Sequence, residues 1–226
     1  VGISGGIGTS LVSALLLTVV ILLGIGMTLL FSRLLSKTLL RGVPSSFALE
    51  LPPYRRPQIG KVIVRSVFDR TLFVLGRAIA VAAPAGALLW LLANVHIGDA
   101  SLLAHCAAFL DPLGRLLGMD GVILTAFILG FPANEIVIPI AVMAYTMGGT
   151  LTDVGDLAAM RDILTTNGWT PLTAVCTILF SLMHWPCSTS LLTIRKEAGG
   201  WKWAGVAFLL PTLAGMLICF VITLAA

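Results

Sequence analysis

A proline that interrupts a long apolar run constrains this chain most. The run covers Trp169–Ile194, and its middle reads His-Trp-Pro-Cys, with Pro186 in third place. Proline has no N–H, and its ring clashes with the preceding turn, so a helix must kink or unwind there. Unwound backbone at bilayer depth is tolerated only where protein or a water-filled cavity surrounds it. The run therefore predicts a broken membrane helix.

Two side chains at this break have the chemistry to handle a metal ion. His184 offers a nitrogen and Cys187 a sulfur, and both suit a borderline-soft divalent cation. The same residues also fit a plain proline kink, in which Cys187 is a small buried hydrophobic residue. The spacing alone leaves both interpretations open.

Composition assigns the chain to the membrane. Apolar residues make up 58% of the 226 positions and charged residues 11%, whereas soluble domains carry roughly 25% charged residues. We predict an all-α polytopic membrane protein. The sequence has no start methionine and no signal-peptide pattern, so we expect part of a longer or split protein. The four cysteines lack CxxC spacing and predict no disulfide framework.

Five apolar segments organise the chain, and charge gives their sidedness. Twelve of the 14 Lys and Arg residues lie in or beside 32–70 and 195–202, while 96–120 and 148–168 hold six acids and two arginines. The positive-inside rule makes the first two stretches cytoplasmic and the other two external. The segments are Thr9–Phe31, Thr71–Val95, Gly121–Met147, Trp169–Ile194 and Trp203–Ala225.

The third segment cannot cross the membrane once, because both of its flanking loops are external. We predict a re-entrant hairpin with arms of about 13 residues, each too short to span, and a turn at Gly130–Glu135. The alternative is one tilted span that violates the charge rule. With the hairpin, the prediction is four full spans and three regions: a first span at 1–31, a cytoplasmic linker at 32–70 and a membrane domain with broken helices at 71–226.

Two further helices are expected to lie in the membrane plane. Gln58–Arg70 carries apolar residues at helical spacing opposite charged ones, which is typical of an amphipathic surface helix. It follows a stiff, extended segment at Leu51–Tyr54. Ser101–Leu117 is the second candidate, on the outer face, although Pro112 interrupts it.

Glu135 is the only acid inside an apolar segment, so it is a functional candidate. A cation site would combine its carboxylate with the Asn134 amide oxygen and carbonyls of the Gly130–Ala133 turn, which contains Pro132. The structural alternative makes Asn134 the N-cap of the second arm and Glu135 a stabiliser of its first turn.

Other motifs add little. Met143, Met147 and Met183 suit a soft-metal path but are more typical of packing. No Ser-His-Asp order, HExxH or phosphate-binding loop is present, so neither enzymatic activity nor a bound cofactor is expected in this stretch.

Three stretches resemble the C-terminal membrane half of the ferrous iron transport protein B family. They are FALELPPYRRPQIGKVIVRSVFDR, GFPANEIVIP and FSLMHWPCSTSLLTIRKEAGGWKWAGVAFLLPT. The resemblance implies Fe²⁺ uptake across a bacterial or archaeal cytoplasmic membrane, and Cys187 matches the metal-handling cysteine of the second gate. One departure is Asn134, which stands where many members carry a basic residue.

The resemblance also implies parts outside this sequence, namely an N-terminal GTPase domain that uses GTP and Mg²⁺, and a first gate half. The expected partners are the lipid bilayer and Fe²⁺, with a homo-oligomer and a small accessory protein as further candidates. No nucleic acid is expected, because no basic patch with interleaved aromatic residues occurs. Two rival functions stay open: a gate-type carrier for an organic solute such as a nucleoside, and a non-transporting membrane scaffold.

Overall fold

The computed structural model describes residues 7–38, 59–146 and 156–226. The chain divides into two compact units, Val1–Pro57 and Gln58–Ala226. The first contributes one described helix, α1, at Ile7–Lys37, which continues past the boundary predicted at residue 31. Its apolar side chains are exposed around the whole helix, as expected for a membrane span.

The second unit is almost entirely helical. A two-stranded ribbon is the only β-structure in the described ranges, and it pairs His96 with Ser101. The elements are α2 (Ile59–Arg65), a π-helix (Ser66–Leu72), α3 (Phe73–Asn94), β1 (His96–Ile97), β2 (Ala100–Ser101), α4 (Leu102–Leu116), α5 (Gly121–Leu129), a 3₁₀ turn (Asn134–Ile136), α6 (Val137–Tyr145), α7 (Leu157–Thr166), α8 (Pro171–Met183), α9 (Ser188–Glu197) and α10 (Trp201–Ala225).

Four segments of the described chain are long and apolar enough to cross a bilayer. They confirm the all-α polytopic fold and the four predicted spans. They are Ser10–Lys37, Val74–Asn94, Pro171–Glu197 and Trp201–Ala225.

The two predicted in-plane segments are helical. The segment that begins at Ile59 runs through the π-helix directly into α3 without a break. Helix α4 continues through Pro112, which therefore does not interrupt it, and α4 meets α5 at a bend of 110°. Their position in the membrane plane stays a prediction, and the extended segment at 51–54 lies outside the described residues.

Helices α5 and α6 form the predicted hairpin. The Tyr145 hydroxyl, at the end of α6, donates a hydrogen bond to the Asp120 carboxylate, which caps the start of α5. A single straight span would hold these residues more than 30 Å apart at 1.5 Å per residue. The chain therefore turns back on itself between them, while re-entry from the outer side stays a prediction.

The hairpin is also the most buried part of the molecule. Ile123, Phe127, Ile140 and Met143 are each at most 2% exposed. A Cβ atom at Gly121, the first residue of α5, would lie 1.9 Å from the Ala107 carbonyl oxygen. Glycine is thus required where α4 and α5 cross.

We predict that Gly121→Ala strongly destabilises the protein, because the added methyl group meets backbone that cannot move aside. Overpacking of this kind costs roughly 1–3 kcal/mol. Gly205→Ala in α10 is the matched control, since a Cβ there meets nothing within 4 Å. Thermal unfolding in detergent should show a clear loss for the first variant and none for the second. Equal melting temperatures would contradict the crossing.

Topology gives a second prediction. Single cysteines placed at Asp162 in α7 and at Lys196 in α9, both exposed, should react with a membrane-impermeant thiol reagent from opposite sides. The reason is that Pro171–Glu197 crosses the membrane once between them. Labelling of both sites from the same side would make the four-span arrangement wrong.

Candidate functional site

The span Pro171–Glu197 is unwound at its centre rather than merely kinked. Helix α8 ends at Met183, and α9 begins at Ser188 with Cys187 in an extended conformation before it. The His184 N–H still donates to the Phe180 carbonyl at 2.7 Å. Pro186 therefore separates two half-helices, as its missing N–H and the restricted residue before it require.

The second break is the turn of the hairpin. Gly130 closes α5, and the Ala133 N–H donates to its carbonyl at 3.0 Å. A Cβ at Gly130 would lie 2.5 Å from the Val137 Cγ2 atom. The close approach of the two arms thus needs glycine here, and Pro132 lies in the same turn.

The two breaks meet. The Ser188 N–H, at the start of α9, donates to the Phe131 carbonyl at 2.9 Å. This bond uses one N–H that a helix start leaves without an intrahelical partner. It joins the hairpin turn to the unwound segment, and we call the region around it the junction.

His184 lies at the junction in a defined tautomer. Its Nδ1 is 2.9 Å from the Ser181 carbonyl oxygen, which can only accept, so Nδ1 carries the proton. The Nε2 atom is buried and has no hydrogen-bond partner. Its lone pair is therefore free, in the arrangement typical of metal-binding histidines.

Asn134 also presents a free acceptor. The expectation that Asn134 caps the second arm is wrong, because Ala133 occupies the N-cap position and no side chain caps the turn. The Asn134 Oδ1 atom is buried without a partner, and an unpaired buried polar atom is costly. Glu135 follows in the 3₁₀ turn as predicted, and its side chain is exposed.

Cys187 is half-buried. Its Sγ atom lies 3.2 Å from the Thr189 Oγ1 and 3.1 Å from the Ser190 Oγ. The thiol is therefore held by hydroxyl groups in the first turn of α9. It is not the inert, fully buried cysteine of the simple kink interpretation.

Other polar atoms at the junction were missed by the sequence analysis. The Trp185 Nε1 and Ser188 Oγ atoms are buried without partners. Their neighbourhood is aromatic, since Trp185 stacks on Phe208 with ring centroids 5.4 Å apart and His184 lies 5.0 Å from the Phe127 ring. No local pattern in the sequence indicates this, because the rings come from three separate segments: α5, the break at 184–187 and α10.

The predicted metal residues do not form a closed coordination shell. In residues 7–38, 59–146 and 156–226, no three His, Cys, Asp or Glu side chains form a group that could hold a metal ion. Cys176 and Cys219 are fully buried packing residues, as expected. Met143 and Met183 are buried in the core too, whereas Met147 lies outside the described residues.

A separate cavity of about 500 Å³ opens between α4, the ribbon and the hairpin. On the predicted topology this is the outer side. No pattern in the sequence indicates this cavity. Its polar lining comprises His96, Asp99, Ser101, Asp111, Tyr145 and Asn167.

Comparison with known proteins agrees with this architecture. The sequence model of the Gate family, described as nucleoside recognition, matches residues 75–201, which is more than half of the chain. The chain belongs to the Gate family. A second model, the C terminus of ferrous iron transport protein B, matches residues 17–70. Over residues 17–70 the chain is thus similar to the C terminus of that transporter family, directly before the Gate region. No solved structure matches it.

Relatives of this Gate protein come from bacteria and archaea. A protein of Staphylococcus aureus (strain MSSA476) named Fe(2+) transporter FeoB is 30% identical over 209 residues, which cover 88% of this chain and 30% of the relative. A Methanocaldococcus jannaschii protein of the same name is 26% identical over 215 residues, covering 89% and 30%. A Porphyromonas gingivalis relative, named as a fusion of Fe(2+) transport protein A with FeoB, is 22% identical and covers 88% and 29%.

The chain thus spans about 30% of the length of these relatives. Its apolar helices and its family make it a multi-pass protein of the cytoplasmic membrane.

Proposed function

We propose that this chain is part of the membrane permease of a ferrous iron uptake transporter, with Fe²⁺ as the transported substrate. The junction of the two helix breaks is the proposed crossing point. Broken helices that meet inside the membrane are where transporters build their substrate sites. The names of the relatives support the same substrate.

One observation carries the proposal: the junction holds buried acceptor atoms that lack partners. These are the His184 Nε2 and the Asn134 Oδ1, and the half-buried Cys187 thiol lies next to the Ser188 N–H that joins the breaks. Unsatisfied lone pairs in a dry interior are costly and favour a cation. Mixed nitrogen, oxygen and sulfur donors suit Fe²⁺ better than Mg²⁺ or Ca²⁺.

An incomplete donor set also fits a substrate that must leave again. Conduction requires binding that is favourable enough for entry and weak enough for release. A closed shell of three or four fixed ligands would instead suit a resident structural metal. Glu135 is proposed as an exposed carboxylate that attracts the ion to the turn, with Gly130, Pro132 and Pro186 shaping the two breaks.

The remaining parts of the transporter are assigned outside this stretch. GTP binding with Mg²⁺ and any GTPase activity are proposed for an N-terminal domain, and a first gate half is proposed to complete the pathway. A small accessory protein is a further partner, supported by the Porphyromonas gingivalis relative named as a fusion. A homo-oligomer is proposed on the family resemblance alone.

A second candidate is a carrier of a nucleoside. The printed description of the Gate family favours it, and the junction contains aromatic rings and one amide. These rings, however, pack on one another, as in the edge-to-face contact of Phe127 with Phe180 at 4.9 Å. Excess unlabelled nucleoside should therefore leave ⁵⁵Fe²⁺ uptake unchanged. Competition by nucleoside, together with nucleoside uptake, would favour the second candidate.

We predict that Cys187→Ser lowers Fe²⁺ uptake by at least about tenfold in the full-length protein, since a hydroxyl group is a poor ligand for a borderline-soft cation. The matched control is Cys219→Ala, which removes a buried packing thiol and should retain most uptake. Membrane protein level is measured alongside. Equal losses in both variants would assign Cys187 a folding role only.

Glu135→Gln gives an independent prediction. The change keeps the shape of the side chain and removes its charge. Uptake should fall at low external Fe²⁺ and recover at high Fe²⁺, because the lost attraction raises the KM and leaves the maximal rate nearly unchanged. An uptake curve that matches the parent at every concentration would leave Glu135 as a helix-start residue, worth about 0.3–1 kcal/mol of stability.

A further inference from the structure

Two groups of hydrogen bonds lie on opposite sides of the junction along the broken span. The first lies before α8, at Trp169, which is separated from His184 by roughly 20 Å at 1.5 Å per residue. The second lies on α9, at Thr189 and Thr193, beyond the break. Each one fastens one half of the span to a neighbouring helix.

The outer tie consists of Asp120, Tyr145 and Trp169. The Tyr145 hydroxyl donates to the Asp120 carboxylate, and the Trp169 indole N–H donates to the Tyr145 oxygen at 2.9 Å. The other Asp120 oxygen accepts the Ile123 N–H at 2.7 Å and so caps α5. One phenol thus links the start of the hairpin, its end and the start of α8.

The inner tie consists of Arg77, Thr189 and Thr193. The Arg77 guanidinium, on α3, donates to the Thr193 hydroxyl at 2.9 Å and to the Thr189 carbonyl at 3.3 Å. Thr189 in turn contacts the Cys187 thiol. An arginine inside an apolar helix is costly and marks a functional position. Here it fastens the first two turns of α9 to α3.

The unwound segment between the ties leaves the two half-helices free to move separately. Helical hydrogen bonds reach 184–187 only at its two ends, from the His184 N–H to the Phe180 carbonyl and from the Leu191 N–H to the Cys187 carbonyl. Opening of the outer tie loosens the start of α8 from the hairpin, and opening of the inner tie loosens α9 from α3. The bond from the Ser188 N–H to the Phe131 carbonyl then still holds the start of α9 against the hairpin turn.

We propose that Tyr145 and Arg77 are positioning residues that close the junction on its outer and inner sides, respectively. The proposal rests on the transport function proposed above. Each residue acts through the helix it fastens and touches no ion itself. Both ties are formed in this structure, where Cys187 is half-buried. Opening of either tie exposes the thiol further on that side, and an ion crosses as the ties open in turn.

Side-specific labelling of Cys187 tests this in the full-length protein. A membrane-impermeant thiol reagent is applied to intact cells or to inverted vesicles, and modification is measured by mass spectrometry of the peptide that contains Cys187. Tyr145→Phe should raise labelling from outside only, and Arg77→Gln from inside only. The expected rise is roughly three- to tenfold, as follows from the loss of one or two net hydrogen bonds.

Matched controls accompany each variant. Thr146→Val removes a neighbouring hydroxyl that bonds only to carbonyls of its own helix, and Lys196→Gln removes an exposed positive charge at the end of α9. Neither should change labelling. Trp169→Phe removes the second bond of the outer tie and should act in the same direction as Tyr145→Phe.

Fully buried Cys176 reports on the fold in the same experiment. A rise at Cys187 matched by a rise at Cys176 would indicate a general loss of packing and would overturn the proposal. So would labelling that is unchanged, or that increases from both sides. The measurement needs no iron, so side-specific labelling in a protein that fails to transport Fe²⁺ would contradict the proposed function alone.

Discussion

The hydrogen bond from the Ser188 N–H to the Phe131 carbonyl is the contact on which the rest of this structure depends. It is 2.9 Å long and joins two segments that are both unwound. Each break alone would leave polar backbone groups exposed inside an apolar protein, and such groups must find partners within the protein. Where the hairpin turn meets the Pro186 break, the Phe131 carbonyl of the turn and the Ser188 N–H of the break become hydrogen-bond partners. The acceptor atoms that stay without a hydrogen-bond partner are the Asn134 Oδ1 and the His184 Nε2, and they define what the site can bind.

Close packing lets the chain return on itself in the hairpin, and the charge pattern predicts that the hairpin re-enters from one side of the membrane. Acid-rich segments flank Gly121–Met147 on both sides, and the Asp120–Tyr145 contact shows that its ends lie together. Glycines at 121 and 130 let the arms and α4 approach within the distance that any Cβ would block. The result is a rigid, buried hairpin whose turn is held against the flexible point of the neighbouring span.

Much of this architecture could be predicted from the sequence, because its causes are local or additive. The missing N–H of Pro186 predicts a break in its helix, although Pro112 lies inside α4 without ending it. The distribution of Lys and Arg over the loops predicts sidedness without knowledge of contacts, and this sidedness stays a prediction. The Asn134 cap was predicted wrongly, since capping preference is statistical and the turn instead placed Ala133 at the cap. The Asp120–Tyr145–Trp169 contacts could not be predicted, because residues that far apart in the chain leave no periodic signal. Arg77 was visible only as a charge just inside a span.

The central claim is that the junction binds a divalent cation through Cys187 and His184. Titration of the purified full-length protein with Co²⁺, a spectroscopic substitute for Fe²⁺, tests it most directly. We expect a near-ultraviolet thiolate-to-cobalt charge-transfer band in the parent protein. The band should be weaker in His184→Ala. In Cys187→Ser it should lose the intensity that comes from the Cys187 thiolate. A band of the same intensity in the parent and in Cys187→Ser, or no band in the parent, would contradict the account.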